Sequence, residues 1–220
     1  MNLMDYELKL SQEKSIRFIG GIDEVGRGCL AGPLVTAIVV FDTDKLSGLV
    51  DSDLIKTISQ IKDSKKLSEK KREELSEFIK NFAFFYHIQE TSNQTIDEIN
   101  IAKSTNNSFL ENFLAAQNNS QIDFVLTDAF KIRGVEESLQ KSLIKGDNTS
   151  LSIAAASIIA KVYRDNLMKE RSKIEEFKIY EFEKHKGYGT AAHIEIIKRC
   201  GPSNLHRKSF EPIKSLLNQN

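Results

Sequence analysis

Two adjacent carboxylates, Asp23 and Glu24, close a short apolar run, and two further acids, Asp128 and Asp147, stand at the ends of later apolar stretches. A carboxylate at the end of a buried strand is costly unless something neutralises it. A divalent cation does so well, because Asp and Glu oxygens are its preferred ligands. Four acids from three strand ends make an oxygen cage suited to Mg²⁺ or Mn²⁺. A pair of such ions activates water and stabilises a leaving oxygen in phosphodiester cleavage. Adjacent strand residues point to opposite faces. Asp23 and Glu24 therefore share one site only if the strand ends there, or if Glu24 lends its carbonyl or turns over the edge.

Gly26-Arg27-Gly28 follows the acids at once, with Gly32 beyond. A dinucleotide-binding loop needs a helix next, so that its N-terminus meets the pyrophosphate. Here a β-branched run follows, and the third glycine comes one residue late. The alternative is that glycines let the backbone approach a ligand closely, so that main-chain groups beside the cage read a sugar hydroxyl. Lys65 and Lys66 precede an N-cap at Ser68, where phosphate is electrostatically favoured. Lys145, Lys161 and Arg164 are further candidates for backbone phosphate, with Lys161 alternatively balancing the acids and Asp165 tying down a basic neighbour. From Lys184 to Lys208 six Lys or Arg and three His (His185, His193, His206) face one acid, Glu195. Beside the site, that segment would hold duplex backbone without reading sequence. Its histidines lack zinc spacing with cysteine.

The elements that must position these residues alternate between two periods. Phe18–Glu24 and Leu34–Phe41 read as strands, with no room between them for a crossover helix, so they pair antiparallel. Residues 42–62 read as a polar loop. Ser68 caps a helix with Leu75, Phe78, Ile79 and Phe82 on one face, and residues 83–90 form a third strand. Thr95-Ile-Asp-Glu98 is a capping box opening a helix to about Gln117. Ile122–Leu126 is a strand delivering Asp128. Residues 130–140 read as a loop with a short helical piece, and residues 143–145 as a brief strand delivering Asp147. A long helix spans about 151–171, and the remainder is helical but broken by glycines. Residues 1–15 are a short helix or a frayed lead-in. This is mixed α/β, and acids at strand ends mark where open sheets collect their sites.

At 220 residues, 40% hydrophobic and 28% charged, the chain fits one domain with a small appendage. Net charge is zero, so any polyanion partner must be met by the local basic segment. Two cysteines, Cys29 and Cys200, are too few for a disulfide framework and fit reduced thiols. No apolar run approaches a membrane span, and no secretory signal opens the chain. A cytoplasmic monomer with no membrane association is expected.

The stretches Gly21–Pro33, Asp63–Leu67, Lys145–Asp147, Ser152–Asp165 and His185–Thr190 occur in an order that resembles the ribonuclease HII family, the bacterial type 2 ribonucleases H. The resemblance covers Phe18 to Phe210. It implies a ribonuclease-H-like, mixed five-stranded sheet flanked by helices. It also implies a catalytic part over 1–171 and a C-terminal helical extension over 172–220 that contributes to substrate binding. The implied activity is metal-dependent cutting of RNA in RNA–DNA hybrids, and 5′ to ribonucleotides embedded in duplex DNA, leaving 3′-hydroxyl and 5′-phosphate ends.

Carried over by motif, two Mg²⁺ or Mn²⁺ ions would be held by Asp23, Glu24, Asp128 and Asp147. Gly26, Arg27 and Gly28 would contact the ribose 2′-hydroxyl, the group that separates RNA from DNA at one sugar. Tyr188 would stack on the adjoining deoxyribose. A non-catalytic hybrid-binding protein of the same fold is the rival reading, and the retained acids, which repel phosphate, speak against it. The chain departs from the family pattern at Cys29, where proline is common, at Thr127-Asp128-Ala129, which replaces Val-Asp-Gly, and in the long 42–62 stretch.

Overall fold

The computed structural model describes residues 3–62, 64 and 67–218. Five strands form one sheet, ordered β3-β2-β1-β4-β5: β1 Phe18–Val25, β2 Leu34–Asp42, β3 Phe85–Thr91, β4 Phe124–Asp128 and β5 Gln140–Leu143. β1 pairs antiparallel with β2 and parallel with β4. β2 is buried along nearly its whole length, which explains its unbroken run of Val, Ile and Phe.

The helices are α1 Met4–Lys14, α2 Thr43–Ser47, α3 Ser52–Ile58, α4 Glu69–Phe82, α5 Asn93–Ile99, α6 Ile101–Asn119, α7 Leu151–Ser172, α8 Phe182–His185, α9 Ala191–Cys200 and α10 Ile213–Leu217. Helix α7 covers one face of the sheet. Its Ala154, Ala155 and Ala156 pack with Val35, Ala37 and Val39 of β2. Helix α6 covers the other, with Phe109 and Phe113 against Ile22, Ile38 and Val40. The segment after α7 wraps back so that Phe177, Tyr180 and Phe182 share a cluster with Ala31 and Met168.

Several expected elements are revised. Residues 42–62 are not a loop: Asp42 and Asp51 cap α2 and α3 through their side chains. The helix expected from Thr95 starts earlier, with Ser92 accepting from Thr95 N (3.1 Å). It is broken at Asn100, whose φ is 69° and whose side chain caps α6. Helix α1 is not frayed but anchored by Glu7, a fully buried acid. Ser68 caps α4 as the sequence suggests.

Candidate functional site

Strand pairing sets where the two adjacent acids point. Asp23 lies opposite Ala37, and Glu24 opposite Thr36. Ala37 packs on the α7 face, whereas Thr36 Oγ1 bonds Ser108 Oγ (2.6 Å) and accepts from Asn112 Nδ2 (2.6 Å), both on α6. Directly paired residues share a face, so Asp23 turns toward α7 and Glu24 toward α6. β1 continues to Val25 on its β2 side. Toward β4, the pairing ends at Ile22 opposite Thr127, so both acids sit where that side of the sheet opens. Asp23 lies beside Ser157 of α7, whose hydroxyl meets that of Ser64 at 3.0 Å. Glu24 stands 3.8 Å from Arg27 Nη1, and its Oε2 is buried without a hydrogen-bond partner among the described residues.

Asp128 ends β4, and its Oδ1 accepts from Gly146 N (2.8 Å). That bond ties the Asp147 turn to the strand end. β5 closes at Leu143, earlier than expected, so Asp147 lies on a 3-10 turn after a left-handed Lys145 rather than at a strand end. Asn148 Nδ2 donates to Asp147 Oδ1 (2.8 Å). The start of α7 presses directly onto β1 here: a Cβ on Gly21 would stand 2.2 Å from Ile153 N. Glu7 secures that helix start, accepting from Ser150 Oγ, Ser152 N and Ser152 Oγ through Oε1 and from Leu151 N through Oε2. Nothing in the sequence marked Glu7, because its partners lie more than a hundred residues away.

Burial pushes Asp23 up to about 7, with the charges of Asp128 and Asp147 adding to it and Ser157 opposing. Burial likewise raises Glu24 to about 8, reinforced by Asp23 and offset by Arg27. The pair thus holds protons near neutrality in the absence of a counter-charge. Among the described residues no three acid, His or Cys side chains are already gathered as an ion cage. The donors nevertheless fit a hard divalent cation. They are acceptor oxygens, and the orphaned Glu24 Oε2 is a buried oxygen in want of a partner. Cys29 is buried, and burial raises its thiol pKa, which makes it a poor nucleophile.

The glycine turn is held by two buried arginines. Arg164 donates to the carbonyls of Pro33 (3.0 Å), Lys186 (2.8 Å) and Ala31 (3.0 Å). Arg207 donates to Arg27 O (2.9 Å) and twice to Gly32 O (3.0 and 3.1 Å). Gly26 has φ 89°, and a Cβ there would meet Arg164 Nε at 2.1 Å, whereas a Cβ on Gly28 would meet nothing within 4 Å. Arg164 and Arg207 are therefore not the surface phosphate contacts expected of them, and burial lowers Arg207 to about 10. Lys161 pairs with Asp165 at 2.8 Å. Lys65 and Lys66 lie outside the described residues.

Tyr188 is exposed beside this turn, next to Cys29. Gly187 O accepts from Leu30 N (2.8 Å), joining the two turns. His193 and His206 are interior rather than part of a basic face. Ser203 N donates to His206 Nδ1 (2.9 Å), which leaves His206 Nε2 to donate to His193 Nε2 (3.0 Å), and His193 Nδ1 to donate to Tyr188 O (2.9 Å). Desolvation lowers these imidazoles to about 3 and about 4, keeping the relay neutral. Within the segment, Lys198, Arg199 and Lys208 remain exposed.

The family model described as ribonuclease HII matches residues 20–213. Ribonuclease HII of Clostridium beijerinckii is 50% identical over 198 residues, covering 89% of this chain and 68% of that protein. The crystal structure of ribonuclease H2 from Pyrococcus horikoshii OT3 superposes with a TM-score of 0.69 at 24% identity, covering 92% of this chain and 98% of the other. That of Bst-RNase HIII in complex with Mn²⁺ gives 0.67 at 19% identity, covering 92% and 70%. Both structures share the fold. No helix among the described residues is long and apolar enough to cross a membrane.

Proposed function

The chain belongs to the ribonuclease HII family, hydrolases that cleave the RNA of RNA–DNA hybrids, and from that premise we propose that it is a divalent-metal-dependent endonuclease. It also cuts 5′ to a ribonucleotide embedded in duplex DNA, leaving 3′-hydroxyl and 5′-phosphate ends. The observation that carries this reading is Glu24 Oε2, buried and without a partner among the described residues, in a site where Asp23 and Glu24 are both raised toward neutrality. Asp23, Glu24, Asp128 and Asp147 would hold a pair of Mg²⁺ or Mn²⁺ ions. Bound there, the ions would supply water activation and charge stabilisation at the leaving 3′-oxygen. The Mn²⁺ complex of Bst-RNase HIII, a protein of the same fold, supports that choice of ion class.

The chain's own groups do the selecting. The Gly26-Arg27-Gly28 backbone, fixed from behind by Arg207 and Arg164, presents main-chain donors and acceptors to a 2′-hydroxyl without side-chain entropy to lose. Tyr188, held through its carbonyl by His193, lies against the neighbouring deoxyribose. Lys65 and Lys66 contact flanking phosphates. Residues 172–220 serve as a substrate-binding extension on a catalytic body formed by 1–171. The test is a DNA duplex with one internal ribonucleotide, incubated with and without Mg²⁺ or Mn²⁺, with both new ends mapped. Metal-dependent cutting on the 5′ side is expected, and binding without cutting would overturn the reading.

A further inference from the structure

On the α6 side of the acids lies a feature that the reading above leaves unused. After Asp128 the chain turns sharply. Ala129 takes φ 62°, Phe130 N donates to Asp128 O (2.8 Å), and Thr127 Oγ1 bonds Phe130 O. A left-handed alanine is a strained choice that persists where the surroundings enforce it. The turn sets the Phe130 ring at the surface, 41% exposed. The Arg27 guanidinium lies 4.3 Å over that ring while reaching toward Glu24. Arg27 thus bridges the acids and an exposed aromatic.

Beyond the ring opens a cavity of about 600 Å³, within the range of small-ligand pockets. Among the described residues its lining carries four cations, Arg27, Lys103, Lys131 and Arg133, and no carboxylate, on a chain of zero net charge. Lys103 and Arg133 are exposed and form no ion pair among the described residues. The walls are rigid. Asn106 of α6 accepts from Arg133 N (2.8 Å) and donates to Arg133 O (3.4 Å). Gln140 accepts from Ile132 N (2.7 Å) and donates to Ile132 O (3.0 Å) and Val135 O (2.7 Å). Unpaired cations on a pinned frame beside an aromatic suit one nucleotide of a strand, phosphate on the cations and base on the ring.

We propose that this cavity is a nucleotide subsite for the strand that passes the acid cluster. Lys103 and Arg133 neutralise the backbone phosphates of a flanking nucleotide, and Phe130 stacks on its base or sugar. The inference rests on the nuclease reading of the neighbouring acids.

The test is equilibrium binding in EDTA, by fluorescence anisotropy, of a duplex with one ribonucleotide. It is repeated with the substrate strand shortened to one nucleotide on either side of the ribonucleotide. Phe130→Ala is expected to weaken binding of the full duplex about tenfold, in line with one lost stack. Lys103→Gln with Arg133→Gln should lower the slope of log Kd against log salt by about two. Shortening one particular flank should erase both deficits. All three positions are exposed, so circular dichroism is expected to show wild-type folding. Wild-type affinity and slope in the variants, or a deficit that survives removal of either flank, would each overturn the subsite. If the wild-type protein binds in this pattern yet fails to cut, the nuclease reading falls and the subsite stands.

Discussion

Glu7 Oε1 accepts from both the backbone N–H (2.9 Å) and the hydroxyl (2.8 Å) of Ser152, tying the first helix to the start of the helix that follows Asp147. The 3-10 turn carrying Asp147 closes onto the same spot, since Ser150 N donates to Gly146 O (2.8 Å). Removing the carboxylate strands buried donors at roughly 1–3 kcal/mol. Glu7→Ala is therefore expected to lower the melting temperature and turnover together. Glu7→Gln, which keeps one acceptor oxygen, should recover most of the turnover. Equal turnover in Ala and wild type would show that the cap does not position Asp147.

Gly26 has no room for a side chain. Its φ is 89°, and an added Cβ would fall on the Arg164 guanidinium. Gly26→Ala is expected to cost roughly 1–3 kcal/mol in strain and to impair cutting at a single embedded ribonucleotide. Gly28→Ala meets no neighbour in the free protein. A loss of cutting in that variant without a loss of stability would locate the effect at the substrate, which steady-state kinetics beside a thermal melt can separate.

Tyr188 is exposed between two glycines, next to Cys29. Tyr188→Ala should harm cutting at single embedded ribonucleotides at least as much as cutting of all-RNA hybrids. The opposite ranking in parallel cleavage assays would remove it from the deoxyribose.

Divalent ions should stabilise the fold in a pH-dependent way. In their absence Asp23 titrates near 7 and Glu24 near 8, against ordinary values of 3.8 and 4.5. Between those limits the folded chain keeps protons that the unfolded chain has released. Stability is therefore fully present below the ordinary values and is lost as pH rises through 7 and 8. Ion binding requires the deprotonated carboxylates, so Mg²⁺ should raise the melting temperature more at about pH 8.5 than at about pH 6. Asp23→Asn should shrink that difference and abolish cutting while leaving hybrid binding largely intact. A melting shift independent of pH in both proteins would exclude these acids as the ligands.

The parts of this site legible in the sequence are those specified locally. β1, β2 and α7 declare themselves by flanking glycines, β-branched runs and a small-residue stretch, and three of the four acids sit at or beside strand ends as read. Asp147 was found by its neighbours in the chain, but its 3-10 turn depends on Gly146 bonding Asp128, a contact that local pattern does not encode. Residues 42–62 read as a loop because the helices that Asp42 and Asp51 cap are too short to show a period. Arg164 and Arg207 misled because arginine is ordinarily a surface residue. Their burial is compensated by carbonyls of a turn far away in sequence, and no local signal reports that. The same holds for the histidines, whose charge was assumed and whose neutrality follows from desolvation.

The bond from Arg207 to Arg27 O spans 180 residues, while all four acids lie at or before residue 147. During synthesis the chain therefore acquires every carboxylate of the site well before the guanidinium that braces its glycine turn has been made. Closing so long a loop is among the slowest and entropically costliest contacts a chain of this size makes. The acids proposed to hold metal and the turn proposed to read the 2′-hydroxyl are thus completed at different times, the turn gaining its brace only after the acids have been made.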